Sequence, residues 1–286
     1  MKVFNVEQNS PEWFNLKIGV PSTSNFNKIM NPDTALKEIR KTQGALAIQD
    51  GDKTVAEVAL ELEVTEATVK NYVKKYSEET EVPEPKLLDG AEDYINLLLA
   101  EMILNTSLNK FPQTYWMERG AEKEGEAADL YEFETDCVLL NGGFVTDDDI
   151  TRGSSLDRLV VKEGKVVGGL EIKCPAPWTH VKNIKSRELD PQYKQQVQGQ
   201  MLVYGLDFVD WFSYHPDMPF SLIRTYRDDD YISVLEKGLD KFTSSLQTDI
   251  KKLVEIGALS EGYKKIIPKG TSVSTIKDIN GILQNF

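Results

Sequence analysis

The stretch GGLEIKCPAP, residues 168–177, limits what this chain can fold into more than any other segment. Leu170, Ile172 and Cys174 alternate with Glu171 and Lys173, and Pro175 follows, so the run reads as a short β-strand stopped where a backbone N–H is lost. Side chains on a strand alternate faces, which sets the acid and the lysine side by side and the apolar residues opposite them. A solvated outer face is the plain explanation for such a pair. Strand patterns run near 137–147, 155–162 and 166–174, the last being this strand, and WFSYHP at 211–216 reads as another. Helical periodicity appears near 90–104, 118–133 and 190–204, and again in an amphipathic run over 234–257 that closes on Gly257. The pattern predicts an α/β body.

The 286 residues suffice for one large domain or one domain with an insertion. No apolar run is long enough to span a bilayer, and the start MKVFNVEQNSPEWF has no basic segment followed by an apolar one, so a cytoplasmic protein is expected. Cys137 and Cys174 are the only cysteines, which excludes a four-cysteine zinc or iron–sulfur centre and points to buried thiols. The net charge of −13 opposes loose attraction to nucleic acid over the whole surface, but a local basic face or an acidic site filled by a metal remains compatible with it.

Composition shifts between Asn31 and Pro85 to polar, Glu-rich segments, closed by EETEVPEPK at 78–86. Residues 31–86 are therefore read as a helical insert in a discontinuous body made of 1–30 and 87–286. Within the insert, 54–76 has the pattern of a helix-turn-helix: Val58, Leu62, Val64, Val69 and Tyr72 as its core, small Ala59 at the crossing, a capping box from Thr54 and Glu57, and Thr65 as second cap. Glu63 stands where a turn glycine is usual. Lys70, Asn71, Lys74 and Lys75 on the second helix could face a phosphate backbone, the alternative being a protein-docking knob.

Carboxylates gather just before the Glu171 strand, in VTDDDITRGSSLDRLV at 145–160. A hairpin turning near Arg152–Gly153 would set Asp147 and Asp157 opposite each other, close enough to share a cation. Magnesium takes hard oxygen ligands with few protein carboxylates among them, and Asp157 with Glu171 suits that demand. A lysine beside such an ion can hold the attacking water or offset charge on a scissile phosphate. Asp followed by Glu-x-Lys also occurs by chance, so the triad alone is a modest signal. In RGAEKEGEAADLYEF, residues 119–133, Gly120, Glu124, Ala127, Ala128 and Tyr131 share one stripe. Glu124 is the acid on it that requires a metal or a hydrogen-bonded network, unless it is a satisfied core carboxylate.

Four stretches, EWFNLKIGVPSTS, RGAEKEGEAADLYEF, DDDITRGSSLDRL with GGLEIKCP, and QYKQQVQGQMLVYG with DWFSYHPDMP, together resemble the lambda-exonuclease-like (YqaJ-type) viral recombinases of the restriction-endonuclease-like superfamily. The resemblance implies a PD-(D/E)XK core in which Asp157 and Glu171 bind Mg²⁺, with Mn²⁺ as a substitute, and Lys173 positions the attacking water. It implies Glu124 and Asp147 as further acids, Asp147 being selected from its triplet by its separation from Asp157, with Asp148 as the fallback. Ile172 is implied as a further metal ligand, and Tyr193 and Gln196, one turn from Gln192, as polar site residues. Lys17 and Ser24 match positions that hold a terminal 5′ phosphate, with lysine where the family often has arginine, a point charge in place of a planar fork. His180, after Trp178, is read as a substrate contact and His215 as structural. The implied activity is 5′-to-3′ digestion of double-stranded DNA ends, leaving 3′ tails for phage-type recombination. A homotrimeric ring and a single-strand annealing protein partner are implied with it. The competing readings are an endonuclease or nickase of the same fold, and a DNA-binding regulator working through the insert.

Overall fold

The computed structural model describes residues 1–76, 80–108, 114–260 and 272–284; Glu78 and Glu79 of the segment closing the insert lie outside these. In chain order the elements begin with β1 (Lys2–Asn5), α1 (Pro11–Lys17), a 3₁₀ helix over Thr23–Lys28, and helices α2 (Pro32–Gln49), α3 (Val55–Glu61), α4 (Glu66–Lys75), α5 (Gly90–Leu104) and α6 (Tyr115–Thr135). They continue with β2 (Val138–Asn141), β3 (Phe144–Thr146), β4 (Gly153–Ser154), β5 (Arg158–Lys162), β6 (Lys165–Lys173), α7 (Pro177–Ser186) and α8 (Pro191–Tyr204). The last are β7 (Phe208–Ser213), β8 (Ser221–Tyr226), α9 (Asp229–Glu255), β9 (Ser272–Thr275) and a closing 3₁₀ helix.

The main sheet has the order β2-β5-β6-β7-β8, and β6 is its middle strand. Its one parallel pair is β6 with β7, in a register that sets Glu171 beside Trp211 and Lys173 beside Ser213. Parallel neighbours need a long crossover, and α7 with α8 supplies it. That connection decides the fate of the Glu171 face. Leu170, Ile172 and Cys174 pack with Ala127, Ala128 and Tyr131 of α6. On the opposite side of the sheet, Val197, Met201 and Tyr204 of α8 pack with Leu159, Val209 and Trp211. The middle strand is thus covered on both faces and Glu171 is only 4% exposed, so the solvated-face explanation fails.

The smaller sheet runs β4-β3-β1-β9. The single strand expected over 137–147 breaks at Gly142–Gly143 into β2 and β3, which belong to different sheets. A Cβ on Gly142 would lie 2.1 Å from the Leu156 carbonyl oxygen, and Gly143 has φ +66°, so the crossing between sheets depends on both glycines. The strand expected at 211–216 begins earlier, at Phe208, and ends at Ser213. Helix α9 begins five residues before the apolar run that signalled it, because the Asp228 side chain caps it by accepting from the Tyr231 N–H.

In the insert, Val58, Ala59 and Val69 are buried together, with Leu62 and Val64 packed against them. Thr54 and Glu57 form the expected capping box, and Thr65 accepts from the Thr68 N–H at 3.2 Å. Glu63 adopts φ +54°, the left-handed turn geometry that favours glycine. Tyr72 is not in this core; its ring sits under the Lys41 ammonium. Helix α2 is shared, since Leu36 and Ile39 pack on the body's α5–α9 cluster while Gly44 backs onto Val58. Helices α3 and α4 pack on each other and on α2.

Candidate active site

Strand β6 presents Glu171 to α8, where glutamines one turn apart meet it. Glu171 Oε1 accepts from Gln196 Nε2 at 2.8 Å and from Lys173 Nζ at 2.5 Å, and Oε2 accepts from Gln200 Nε2 at 2.6 Å. A buried carboxylate needs donors in place of water, and here three supply them. Burial alone would lower the affinity of Lys173 for its proton, but the Glu171 and Asp157 charges outweigh it and hold the ammonium protonated above its ordinary range. The same ammonium lies 5.1 Å from the Trp211 ring centre, and Tyr193 packs on the Trp211 ring at 4.2 Å.

Asp157 precedes β5 and is tied to β6, its Oδ2 accepting from the Ile172 N–H at 2.7 Å. Burial, and then the Glu171 charge, pushes its carboxyl up to about 7. Glu124, on α6, accepts from Arg158 Nη1 at 2.8 Å, and Arg158 also donates to the Asp157 carbonyl at 2.6 Å. Glu124, Asp157, Ile172, Lys173 and Tyr193 line one cleft of about 430 Å³. Glu124, Asp157 and Arg158 also border a second, polar cleft beside residues 5–9.

Among the described residues no group of three or more His, Cys, Asp and Glu side chains is placed to hold a metal as a complete protein cage. The cleft instead offers the Asp157 carboxylate, with that of Glu171 just behind it on the Lys173 ammonium. That is a sparse set of hard oxygens, which suits an ion that retains several waters and binds phosphate. The Asp157 carboxyl is raised first by burial and then by the Glu171 charge, and a cation bound beside it would favour its charged form.

Asp147 does not join this group. Hairpin β3–β4 pairs Val145 with Ser154 and Thr146 with Gly153, leaving Asp147 in the loop and Asp157 three residues past the paired end. Its carboxylate is consumed in closing that loop: it accepts from the Thr151 N–H at 2.6 Å, from the Thr151 hydroxyl, and from Arg152 Nε at 3.3 Å. The fallback, Asp148, is paired with the N-terminal ammonium at 2.9 Å. His180 is also displaced from its expected role. It is fully buried in α7, its Nδ1 2.8 Å from Ser213 Oγ and its Nε2 3.0 Å from the Pro219 carbonyl, and it stacks on His215. No substrate reaches it there.

Lys17 lies at the end of α1 with its ammonium 3.8 Å from the Trp13 ring centre, and Trp13 Nε1 donates to Ser155 Oγ at 2.8 Å, two residues before Asp157. Burial lowers the Lys17 pKa to about 8, partly offset by the Glu101 charge. Ser24 is exposed on the 3₁₀ helix, its hydroxyl 3.2 Å from that of Ser22. Lys70 and Lys74 are exposed on α4 and make no ion pair among the described residues, whereas Lys75 is engaged by Glu38. Sequence reasoning missed Gln200, Trp211 and Arg158. Gln200 alone carried a signal, its spacing of four from Gln196 on one helix.

Residues 12–207 match the YqaJ-like viral recombinase domain. The chain belongs to that family. Glu124, Asp157, Glu171, Ile172, Lys173 and Tyr193 fall within the matched span, whereas Trp211 of the cleft lies beyond it, as do α9 and β9. The YqaJ-family chain is similar in structure to an alkaline exonuclease, LHK-Exo, from Laribacter hongkongensis, with TM-score 0.60 and 23% identity over 87% of this chain and 98% of that one. The structure of LHK-Exo in complex with dAMP matches with TM-score 0.57, 23% identity and the same coverage of 87% and 98%. The shared architecture is the restriction-endonuclease-like α/β fold. No protein with a curated description matches the chain.

Proposed function

We propose that this YqaJ-family protein is a Mg²⁺-dependent exonuclease that digests one strand of duplex DNA from its 5′ end and leaves a 3′ single-stranded tail. The observation that supports the reading is Asp157 and Lys173 in one cleft, with Glu171 bonded to Lys173 and held by Gln196 and Gln200. Asp157 and Glu171 would hold the metal, with the Ile172 carbonyl beside them and Glu124 near. When bound, the metal lowers the pKa of a coordinated water and neutralises charge on the phosphate. Lys173, kept protonated by the two acids, orients the attacking water through its lone pair and faces the charge that builds on the phosphate oxygens. It does not serve as the base in that charged form. Gln196 and Gln200 fix the Glu171 carboxylate, and Tyr193 on Trp211 walls the cleft.

Lys17 and Ser24 would receive the terminal 5′ phosphate and so set polarity, since Trp13 ties α1 to the strand segment leading to Asp157. Lys70 and Lys74 would add phosphate contacts from the insert. A homotrimeric ring, a single-strand annealing partner and a cytoplasmic site of action follow from the family resemblance; among the described residues no helix is long and apolar enough to cross a membrane. The test is a linear duplex labelled at either end, incubated with Mg²⁺. The 5′ label should appear first, in mononucleotides, while the 3′-labelled strand shortens only late. Early release of the 3′ label would reverse the assigned polarity.

A further inference from the structure

The mouth of the Lys173 cleft carries a group of exposed aromatic rings that the reaction described above does not use. Trp178, in the first turn of α7, is 67% exposed, and Tyr115, at the start of α6, is 68% exposed. Trp116 sits between them, edge-on to both, with ring centres 5.3 Å from Trp178 and 5.0 Å from Tyr115. Met117 is 53% exposed beside them. Each such ring left in water forgoes burial worth about 25 cal/mol per Å² of apolar surface, and a contiguous apolar patch of this kind marks a binding surface.

Two observations identify what it binds. The first is continuity: Trp116 and Met117 line the same cleft as Glu124, Asp157, Lys173 and Tyr193, so a group stacked there is beside the phosphate being cut. The second is charge. Across 177–187, the chain of net charge −13 places Lys182, Lys185 and Arg187 and no acid; Lys182 is paired with Asp190 at 2.8 Å, whereas Lys185 and Arg187 make no ion pair among the described residues. Arg119 lies 5.8 Å from the Trp116 ring centre, and its Nη1 is buried with no acceptor among the described residues. Flat rings bordered by cations suit a polyanion that carries planar apolar groups at regular intervals. Bases inside a duplex have no free face, so the ligand is an unpaired stretch of strand.

We propose that Trp178 and Trp116 form a stacking platform for the unpaired bases of the DNA strand entering the cleft. The identity of that strand rests on the exonuclease reading; the stacking does not. Holding the terminal bases on tryptophan would oppose their return to the duplex and keep the end open for the next hydrolysis. The platform is indifferent to base identity, because every base has a π face.

The test uses the full chain without metal, so that no hydrolysis is needed. Fluorescence anisotropy compares a short labelled oligo-dT with an abasic strand of equal length and charge. Wild type should bind oligo-dT on the order of tenfold or more tightly than the abasic strand, as expected for one or two stacked bases. Trp178→Ala should remove most of that preference while leaving abasic binding in place, Trp178→Phe should restore it, and Trp116→Phe should reduce it only partly. Equal binding of the two strands by wild type, or equal weakening of both in Trp178→Ala, would overturn the platform. So would a change of oligomeric state in Trp178→Ala, seen by sedimentation, with no change in base preference, because the rings would then belong to contacts between copies. A protein that prefers oligo-dT but never cleaves linear duplex with Mg²⁺ would retire the exonuclease reading and keep the platform. Cleavage without base preference would do the reverse.

Discussion

Replacing Asp157 by asparagine should stabilise the metal-free protein above neutral pH, although the residue is proposed to be essential for cleavage. Its carboxyl rises from 3.8 to about 7 through burial and the adjacent Glu171 charge. Each tenfold change in proton affinity is about 1.36 kcal/mol, so the charged form costs the folded state ~4 kcal/mol as an upper bound. Residual solvent access reduces this to ~1–3 kcal/mol. The sign follows from linkage. From pH 4 to about 7 the unfolded chain has released this proton while the native state still binds it, so wild-type stability falls across that window and levels off above it. Asparagine cannot titrate, and its Oδ1 can still accept from the Ile172 N–H. Urea unfolding in EDTA at pH 5 and pH 8 should therefore show wild type losing stability between the two while Asp157→Asn does not, leaving the variant the more stable at pH 8. Adding Mg²⁺ at pH 8 should raise the wild-type midpoint and leave that of the variant unchanged. A variant destabilised by the same amount at both pH values would refute the buried-charge account of this site.

Glu171→Gln and Lys173→Ala should each lower Mg²⁺-dependent cleavage about a hundredfold or more with native circular dichroism retained. Gln200→Ala, which leaves Glu171 Oε2 without its donor, should lower both activity and stability, the latter by ~1–3 kcal/mol in denaturant titration. Linear duplex with a 5′ phosphate should be digested faster than the 5′-hydroxyl form, and the advantage should shrink as pH rises through about 8, where Lys17 loses its proton; a constant ratio from pH 7 to pH 9 would remove Lys17 from the phosphate pocket. Replacing 54–76 by a Gly/Ser linker should leave a folded nuclease whose duplex affinity depends less steeply on salt, the slope falling by about one for each phosphate that Lys70 and Lys74 no longer neutralise. An unchanged slope would make the insert a protein-docking element.

Strand β6 was legible because Glu-x-Lys before a proline has one orientation on a β-strand, and Glu124 because helical spacing puts it on the stripe that packs toward that strand. What the spacing left open was whether the acid–lysine face met water, since nothing local to 168–177 reveals that α8 covers it. The displaced residues failed for particular reasons. The separation from Asp157 along the chain favours Asp147, but β4 is only Gly153–Ser154, so the loop ends early and takes the carboxylate for its own closure. His180 reads as a substrate contact because it follows Trp178, but Pro177 starts helix α7 and turns the imidazole inward onto Ser213. Gln200 and Trp211 belong to the site only through the β6–α8–β7 crossover, a tertiary fact that no short window of sequence contains.

The central claim, that the cleft of Asp157, Glu171 and Lys173 hydrolyses DNA strands from their ends, is tested most directly by giving the purified protein linear and covalently closed duplexes of one sequence, with Mg²⁺ or with EDTA. Wild type should degrade the linear form alone, in Mg²⁺ alone, and Lys173→Ala should degrade neither. Relaxation or cutting of the closed circle would show an endonuclease, and equal digestion by Lys173→Ala would show that the hydrolysis takes place elsewhere.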